Sequence, residues 1–178
     1  SGAVFKTTNG GVNWLYSRPD NSSNFASAFF INESTGWICG AQYFSAATLM
    51  KTTNGGQNWF YQSSQISTTL RSVFFLDSLN GWIVGSSIGL VSKTTNGGIN
   101  WSINFRYDNY PLLDVYFIDN QTGWVGGTYA IFKTTNGGTN WNNQISSNDV
   151  VYGFSFINSQ TGWAGAHNYV LKTTNGGG

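Results

Sequence analysis

Seven carboxylates are the chain's whole stock of strong acid–base groups: Asp20, Glu33, Asp77, Asp108, Asp114, Asp119 and Asp149. Glycoside hydrolysis needs two of them flanking one bond, so spacing and surroundings decide whether a pair exists. Asp77 and Asp119 open a repeated turn in which Asn32 and Asn158 stand in the other copies, which reads as turn chemistry. Asp20, Asp108 and Asp149 lie beside Pro, Asn or Ser in linker-like stretches. Asp114 differs, because it falls inside the apolar run LLDVYFI, where other copies carry Ser27, Ser72 and Gly153. Asp114 and, separately, Arg71 one residue before Ser72 are candidates to face a central channel or an interaction surface, and Asp114 with a second carboxylate across a ring is the best available acid pair.

Other chemistry is thinner still. The one histidine, His167, supports neither a metal site nor a triad. Cys39 is the single cysteine, which excludes an internal disulfide, and its alignment with Val84, Gly126 and Gly165 reads as a small core filler. No cofactor and no metal are expected. A formal charge of +1 with 8% charged residues leaves no electrostatic footprint for nucleic acid or an anionic membrane. Apolar runs stop at about five residues, far short of the roughly 20 that a membrane helix needs.

What must position these residues is a repeat. KTTNGGVNW at Lys6 returns as KTTNGGQNW at Lys51, KTTNGGINW at Lys93 and KTTNGGTNW at Lys133, and KTTNGG starts again at Lys172. The lysines are 45, 42, 40 and 39 residues apart, a period that points to stacked supersecondary units. A second motif keeps the same beat, with GWICG, GWIVG, GWVGG and GWAGA around Trp37, Trp82, Trp124 and Trp163. All eight tryptophans belong to one of the two motifs.

One full unit predicts four strands: 69–76, 82–86, 88–95 and 99–105, with turns at DSLNG and NGG. No stretch sustains a helical period. The first strand is apolar on both pleat faces, Phe74 and Leu76 on one and Val73 and Phe75 on the other, as expected for a sheet packed between two sheets. The fold class is therefore all-β, a β-propeller of four-stranded antiparallel blades with about four repeats, either a closed small ring or a segment of a larger array. The whole of 1–178 is one repeat domain, with blade units near 1–18 (partial), 25–64, 69–105, 112–145 and 150–178 (partial). Both ends fall inside a repeat, which reads as a piece cut from a longer protein.

In the box, four residue sets have structural roles to play. They are Thr7, Asn9, Gly11 and Trp14; Thr52, Asn54, Gly56 and Trp59; Thr94, Asn96, Gly98 and Trp101; and Thr134, Asn136, Gly138 and Trp141. Threonine ends a strand, asparagine bonds its own backbone, glycine supplies positive φ, and the indole folds over the turn or packs on the next blade. The five lysines recur at strand ends and read as edge protection.

These four sets match S/T-x-D-x-G-x-x-W, the Asp-box or bacterial neuraminidase repeat, with Asn in place of Asp. Coupled to the GW element, the unit resembles the photosystem II stability/assembly-factor family of bacterial repeat proteins, which are propellers. That resemblance implies a box on the surface, remote from any active centre. Asp-box blades also serve sialidases, xyloglucan-cleaving glucanases and sorting receptors, so the resemblance bears on fold more than on function. A sialidase site would need an arginine cluster and a tyrosine–glutamate pair. Here Arg18, Arg71 and Arg106 are the only arginines and Glu33 the only glutamate.

The reading is of a non-catalytic structural or interaction scaffold, part of a larger secreted or cell-surface bacterial protein. The alternative is an assembly-factor-like propeller that binds a client protein, in a periplasmic or thylakoid-lumen-like compartment. A glycoside hydrolase comes third. The expected partner is protein, either a client or neighbouring copies joined head to tail, with carbohydrate left open. Tyr16, Tyr43, Phe60, Tyr61, Tyr107 and Tyr110 are candidate contact aromatics. Asn21, Asn32, Asn100 and Asn120 begin N-x-S/T sequons.

Overall fold

The computed structural model describes residues 2–43, 46–86, 88–108 and 110–177, and within these the side chains of 147 and 148 are left aside. Every described strand pairing is antiparallel. A two-stranded piece, β1 (Val4–Lys6) and β2 (Leu15–Ser17), comes first. Two four-stranded meanders follow. One is β3 (Ser23–Phe30), β4 (Gly36–Gln42), β5 (Ala46–Thr52) and β6 (Phe60–Tyr61); the other is β7 (Leu70–Phe75), β8 (Gly81–Gly85), β9 (Leu90–Thr94) and β10 (Ser102–Arg106). The last sheet holds β11 (Leu112–Phe117), β12 (Gly123–Thr134), β13 (Asn142–Phe156), β14 (Gly162–Ala166) and β15 (Val170–Thr173).

Long strands in that last sheet merge pieces that are separate elsewhere. β12 contains both middle strands of its blade, with Tyr129 at φ 68° in the place of Gly89 at φ 53°. β13 pairs with β12 through Asn142–Ser146 and with β14 through Val151–Phe156, so it runs from the outer strand of one blade into the inner strand of the next. The architecture is an all-β, propeller-like arc. β1 and β2 pair with no other sheet, so the described strands form an open array and not a closed ring.

Strand ends differ from the sequence expectation by a few residues, and the box explains the largest shift. A fourth strand was expected from Ile99, yet β10 begins at Ser102. The Asn96 side-chain oxygen accepts from the Asn100 N–H at 2.9 Å and holds residues 98–101 in the turn, out of the ladder.

The cores lie between sheets. Trp37, Cys39 and Leu49 of one sheet pack with Leu70, Val73, Phe75 and Ile83 of the next, and Trp82, Val84 and Val91 pack with Leu112, Val115 and Phe117. At each junction the tryptophan of the GW motif stacks flat on a phenylalanine of the following inner strand. Trp37–Phe75, Trp82–Phe117 and Trp124–Phe156 have ring centroids 3.5, 3.6 and 3.6 Å apart, with planes within 14° of parallel. The glycine before each tryptophan makes room. A Cβ on Gly81 would lie 2.5 Å from the Phe75 ring, and Gly123 and Gly162 stand in the same way against Phe117 and Phe156. This is a cross-strand aromatic lying over a glycine, which pins register. Burying rings of this size is worth several kcal/mol per junction, about 3–5 kcal/mol for a whole Phe or Trp.

Every inner strand also carries a bulge at the same place. The register shifts between Phe25 and Ser27, Leu70 and Ser72, Leu112 and Asp114, and Val151 and Gly153. A bulge bends its strand and re-aims the next side chain. Arg71 is thereby the extra residue of its bulge, and Asp114 the first residue back in register.

Candidate functional site

The box is built on hydrogen bonds from two side chains. In the Thr94 box, Thr94 Oγ1 accepts from the backbone N–H groups of Asn96 (3.3 Å) and Gly98 (3.0 Å) and donates to Asn96 Oδ1 (3.0 Å). Asn96 Oδ1 also accepts from Asn100 N–H. The Thr7, Thr52 and Thr134 boxes repeat this set within 0.2 Å. Only the oxygen of the asparagine amide is used in these bonds, so a carboxylate would serve equally. Both box glycines stand at positive φ, as with Gly97 at 71° and Gly98 at 92°. The box tryptophan meets an inner-strand phenylalanine of its own blade edge-on, as in Phe30–Trp59, Phe75–Trp101 and Phe117–Trp141.

The lysines do not guard free edges. Lys6, Lys51 and Lys93 donate to the box carbonyls of the next blade, Gly55, Gly97 and Gly137, at 2.8, 3.2 and 3.0 Å. Lys51 and Lys93 also lie over the rings of Trp37 and Trp82, at 4.9 and 5.3 Å. Desolvation there pushes the Lys51 and Lys93 ammonium groups below the usual lysine range. Trp82 and Trp124 donate their indole N–H to Gly137 and Gly176 carbonyls as well. A lysine on one blade, an indole on the same blade and a box on the next therefore make one joint. Sequence reasoning missed it, because the partner of each lysine lies more than 40 residues downstream.

Asp114 is partly buried and spans three blades. It accepts from Ser72 Oγ of β7 at 2.8 Å and from the Phe154 N–H of β13 at 2.9 Å. Desolvation raises its carboxyl above the ordinary value, against the lowering by those two donors and by the Val115 N–H. Arg71 is exposed, while the partners of Asp114 are Ser72 and Phe154. Arg71 and Asp114 stand on different strands, β7 and β11. Asp77, Asp119, Asn32 and Asn158 each accept two backbone N–H groups in the turn after an inner strand. Burial pushes Asp20 up, but bonds from Ser23, Tyr61 and Ser22 outweigh it and hold the carboxyl well below the usual range. Burial raises the Cys39 thiol, which removes its reactivity. Among the described residues no three His, Cys, Asp or Glu side chains gather as a metal site, and no helix is long and apolar enough to cross a membrane.

The opposite face has another chemistry. In each meander the box and the turn after the inner strand meet at one end, through bonds such as Gly97 N–H to Leu79 O. The remaining turns meet the inter-blade linkers at the other end, as in Tyr43 N–H to Ser22 O, Tyr107 N–H to Gly89 O and Thr128 N–H to Pro111 O. That second face carries tyrosines. Tyr107, Tyr110 and Tyr129 form a chain of rings 5.2–5.3 Å apart, and Tyr110 and Tyr129 are 39% and 41% exposed. Tyr152 and His167 sit together beyond them, joined by a 3.4 Å contact between the phenol oxygen and Nδ1. Tyr43 and Tyr129 both hold positive φ, 48° and 68°, a conformation that costs a non-glycine residue roughly 1–3 kcal/mol and recurs at working surfaces.

The model of the photosynthesis system II assembly factor YCF48 family, a BNR-repeat family, matches residues 18–109, a little over half of the chain. The chain belongs to the YCF48 family. Solved structures agree on the architecture. A YCF48 bound to D1 peptide is 25% identical, with a TM-score of 0.67 over 84% of this chain, and YCF48 from Cyanidioschyzon merolae is 19% identical, with a TM-score of 0.77 over 98%. An ancestral GH74 enzyme matches 99% of the chain at 17% identity and a TM-score of 0.71, which bears on fold alone. No curated protein matches significantly. The chain spans 52% and 61% of those two YCF48 structures and 25% of the GH74 enzyme. The YCF48 match supports the assembly-factor alternative better than the secreted-scaffold reading.

Proposed function

We propose that this chain is a non-catalytic, client-binding propeller segment of the assembly-factor type, which holds an extended peptide of a partner protein across its tyrosine-bearing loop face. The family match carries this reading, and one YCF48 relative is described as bound to D1 peptide. The loop face supports it with exposed phenols on a rigid frame, large contact area at low entropic cost. The box face is already committed to its own joints. A periplasmic or thylakoid-lumen-like location fits such a client better than the extracellular one. To test it, the full chain is titrated with D1 peptide and with a shuffled peptide of the same composition. Saturable binding of the first alone, weakened at least tenfold by Tyr110→Ala with Tyr129→Ala, supports the reading; equal binding of both peptides, or none, overturns it.

A further inference from the structure

The inner strands are packed on both faces. In β7, Val73 and Phe75 pack against the preceding sheet, and Phe74 against the cluster shared with the following one. Such a strand has no pleat left for solvent, and its bulge supplies the exception. Arg71 is exposed although Leu70 and Ser72 on either side of it are buried. In β11 the bulge leaves Leu113 and Asp114 half-buried between buried Leu112 and Val115. Both bulges lie near the loop-face end of their strands, where the Ser86 and Thr128 N–H groups donate to the Thr69 and Pro111 carbonyls at 2.9 Å. Each strand has another inner strand on both sides, β3 and β11 beside β7, β7 and β13 beside β11, with Cα atoms within 8 Å.

These two places carry opposite charges in a chain that has few. Five of the eight basic residues are box lysines, and Lys6, Lys51 and Lys93 are held in joints. Asp20, Asp77 and Asp119 accept from backbone N–H groups of their own turns. The donors to Asp114 come from three strands: Ser72 Oγ of β7, the Phe154 N–H of β13 and the Val115 N–H of β11 itself. All three are neutral, so they orient the carboxylate without cancelling its charge. A partly desolvated charge of this kind attracts an opposite one more strongly than it would in open water.

Spacing decides what could meet both poles. The Ser72–Asp114 bond, 2.8 Å, ties together residues that adjoin the two bulges, so the step from blade to blade is short here. Two residues of extended chain cover about 6.6 Å and bring the side chain back to the same face. That step matches the approach of β7 and β11.

We propose that Arg71 and Asp114 form a two-pole reading site at the inner edge of the arc, which selects an extended client segment carrying an acidic and a basic side chain two residues apart. This rests on the client-binding reading above and adds the chemistry of the client. Arg71 takes the client carboxylate through paired N–H donors, and Asp114 takes the ammonium or guanidinium. Adjacent charges on an extended chain point to opposite faces, so such a pair reaches one pole only. Two charges of one sign meet repulsion at one of the poles.

The test titrates the full chain with labelled peptides that share one uncharged frame of Thr, Val and Tyr, capped at both ends. They differ at two positions: Glu and Lys two apart in either order, Glu and Lys adjacent, or Gln at both. One order of the two-apart pair should bind at least about tenfold more tightly than the Gln peptide, and at least about threefold more tightly than the adjacent pair. Arg71→Gln should erase the gain from Glu and leave that from Lys; Asp114→Asn should do the reverse. Arg71 is exposed and Asp114→Asn keeps an oxygen for the Phe154 N–H, so both variants should fold, which thermal unfolding checks. Equal binding across the set, no binding, or a preference that survives both substitutions overturns the proposal. The D1 peptide titration separates the two readings. Saturable D1 peptide binding with no preference within the set removes the two-pole site alone, whereas no binding of either removes both.

Discussion

The two faces of the arc are made from the same strands and spend their side chains in opposite ways. On the box face the recurring threonine and asparagine are committed to the turn, and Lys51, Lys93 and the Trp82 and Trp124 indoles to the next blade. On the loop face the turns vary in length and residue, and phenols stand out from strained backbone at Tyr43 and Tyr129. A surface whose chemistry is consumed internally has little left for a partner, while one that holds exposed rings at an energetic cost has something to offer. Constancy in this chain therefore marks the joints, and recognition is to be sought where the repeats differ.

The sharpest way to break that division is to remove a joint. Trp82 is 1% exposed, stacked on Phe117, capped by Lys93 and bonded to Gly137. Trp82→Ala should cost about 3–5 kcal/mol, the range for deleting a buried aromatic, as read by denaturant unfolding. Leu79→Ala, an exposed apolar residue on the same face, should change stability by less than about 0.5 kcal/mol. Similar effects from the two would mean that the junctions carry no special share of the stability.

The fold was largely legible in the sequence because its signals are local. The period near 40, the two-sided inner strand around Phe74 and the turn residues all act within one unit. What stayed hidden lies between units. Nothing near Lys51 announces that it reaches Gly97, and nothing near Ser72 that it donates to Asp114. The inner-strand bulges were also missed, since Ala26, Arg71, Leu113 and Tyr152 share no side-chain type; only the ladder shows that each is the extra residue. Arg71 and Asp114 take different places in their bulges, the extra residue in one strand and the first residue back in register in the other.

A smaller effect sharpens the reading of the box itself. Asn96→Ala removes the acceptor for both Thr94 Oγ1 and Asn100 N–H and should cost about 1–2 kcal/mol, as the loss of a capping side chain does. Asn96→Asp keeps that oxygen and should fall within about 0.5 kcal/mol of the parent by the same reasoning. Equal losses from the two would show that the amide nitrogen has a part in the box, and would reopen the question of why Asn replaces Asp in every copy.

The smallest expected change is at Asp114, the one carboxylate that belongs to neither face. Its carboxyl is raised in the folded chain because desolvation outweighs its donors. A carboxyl whose folded value lies above its unfolded value favours folding when protonated. Its contribution is therefore fully present below the unfolded value, near 3.8, and is lost as pH rises through the raised folded value. At pH 7 the ionised group is a liability that the Ser72 and Phe154 donors only partly offset. Asp114→Asn carries no charge and keeps an oxygen for the Phe154 N–H, so thermal unfolding at pH 7 should show equal or higher stability than the parent, with the gap closing toward pH 4. Asp114→Ala leaves Ser72 Oγ and the Phe154 N–H without their acceptor and should be less stable than either at both pH values. A parent that outlasts Asp114→Asn at pH 7 but not at pH 4 would mean that the charge itself is stabilising, and would point to a cation, from the client or elsewhere, brought to the centre of the arc.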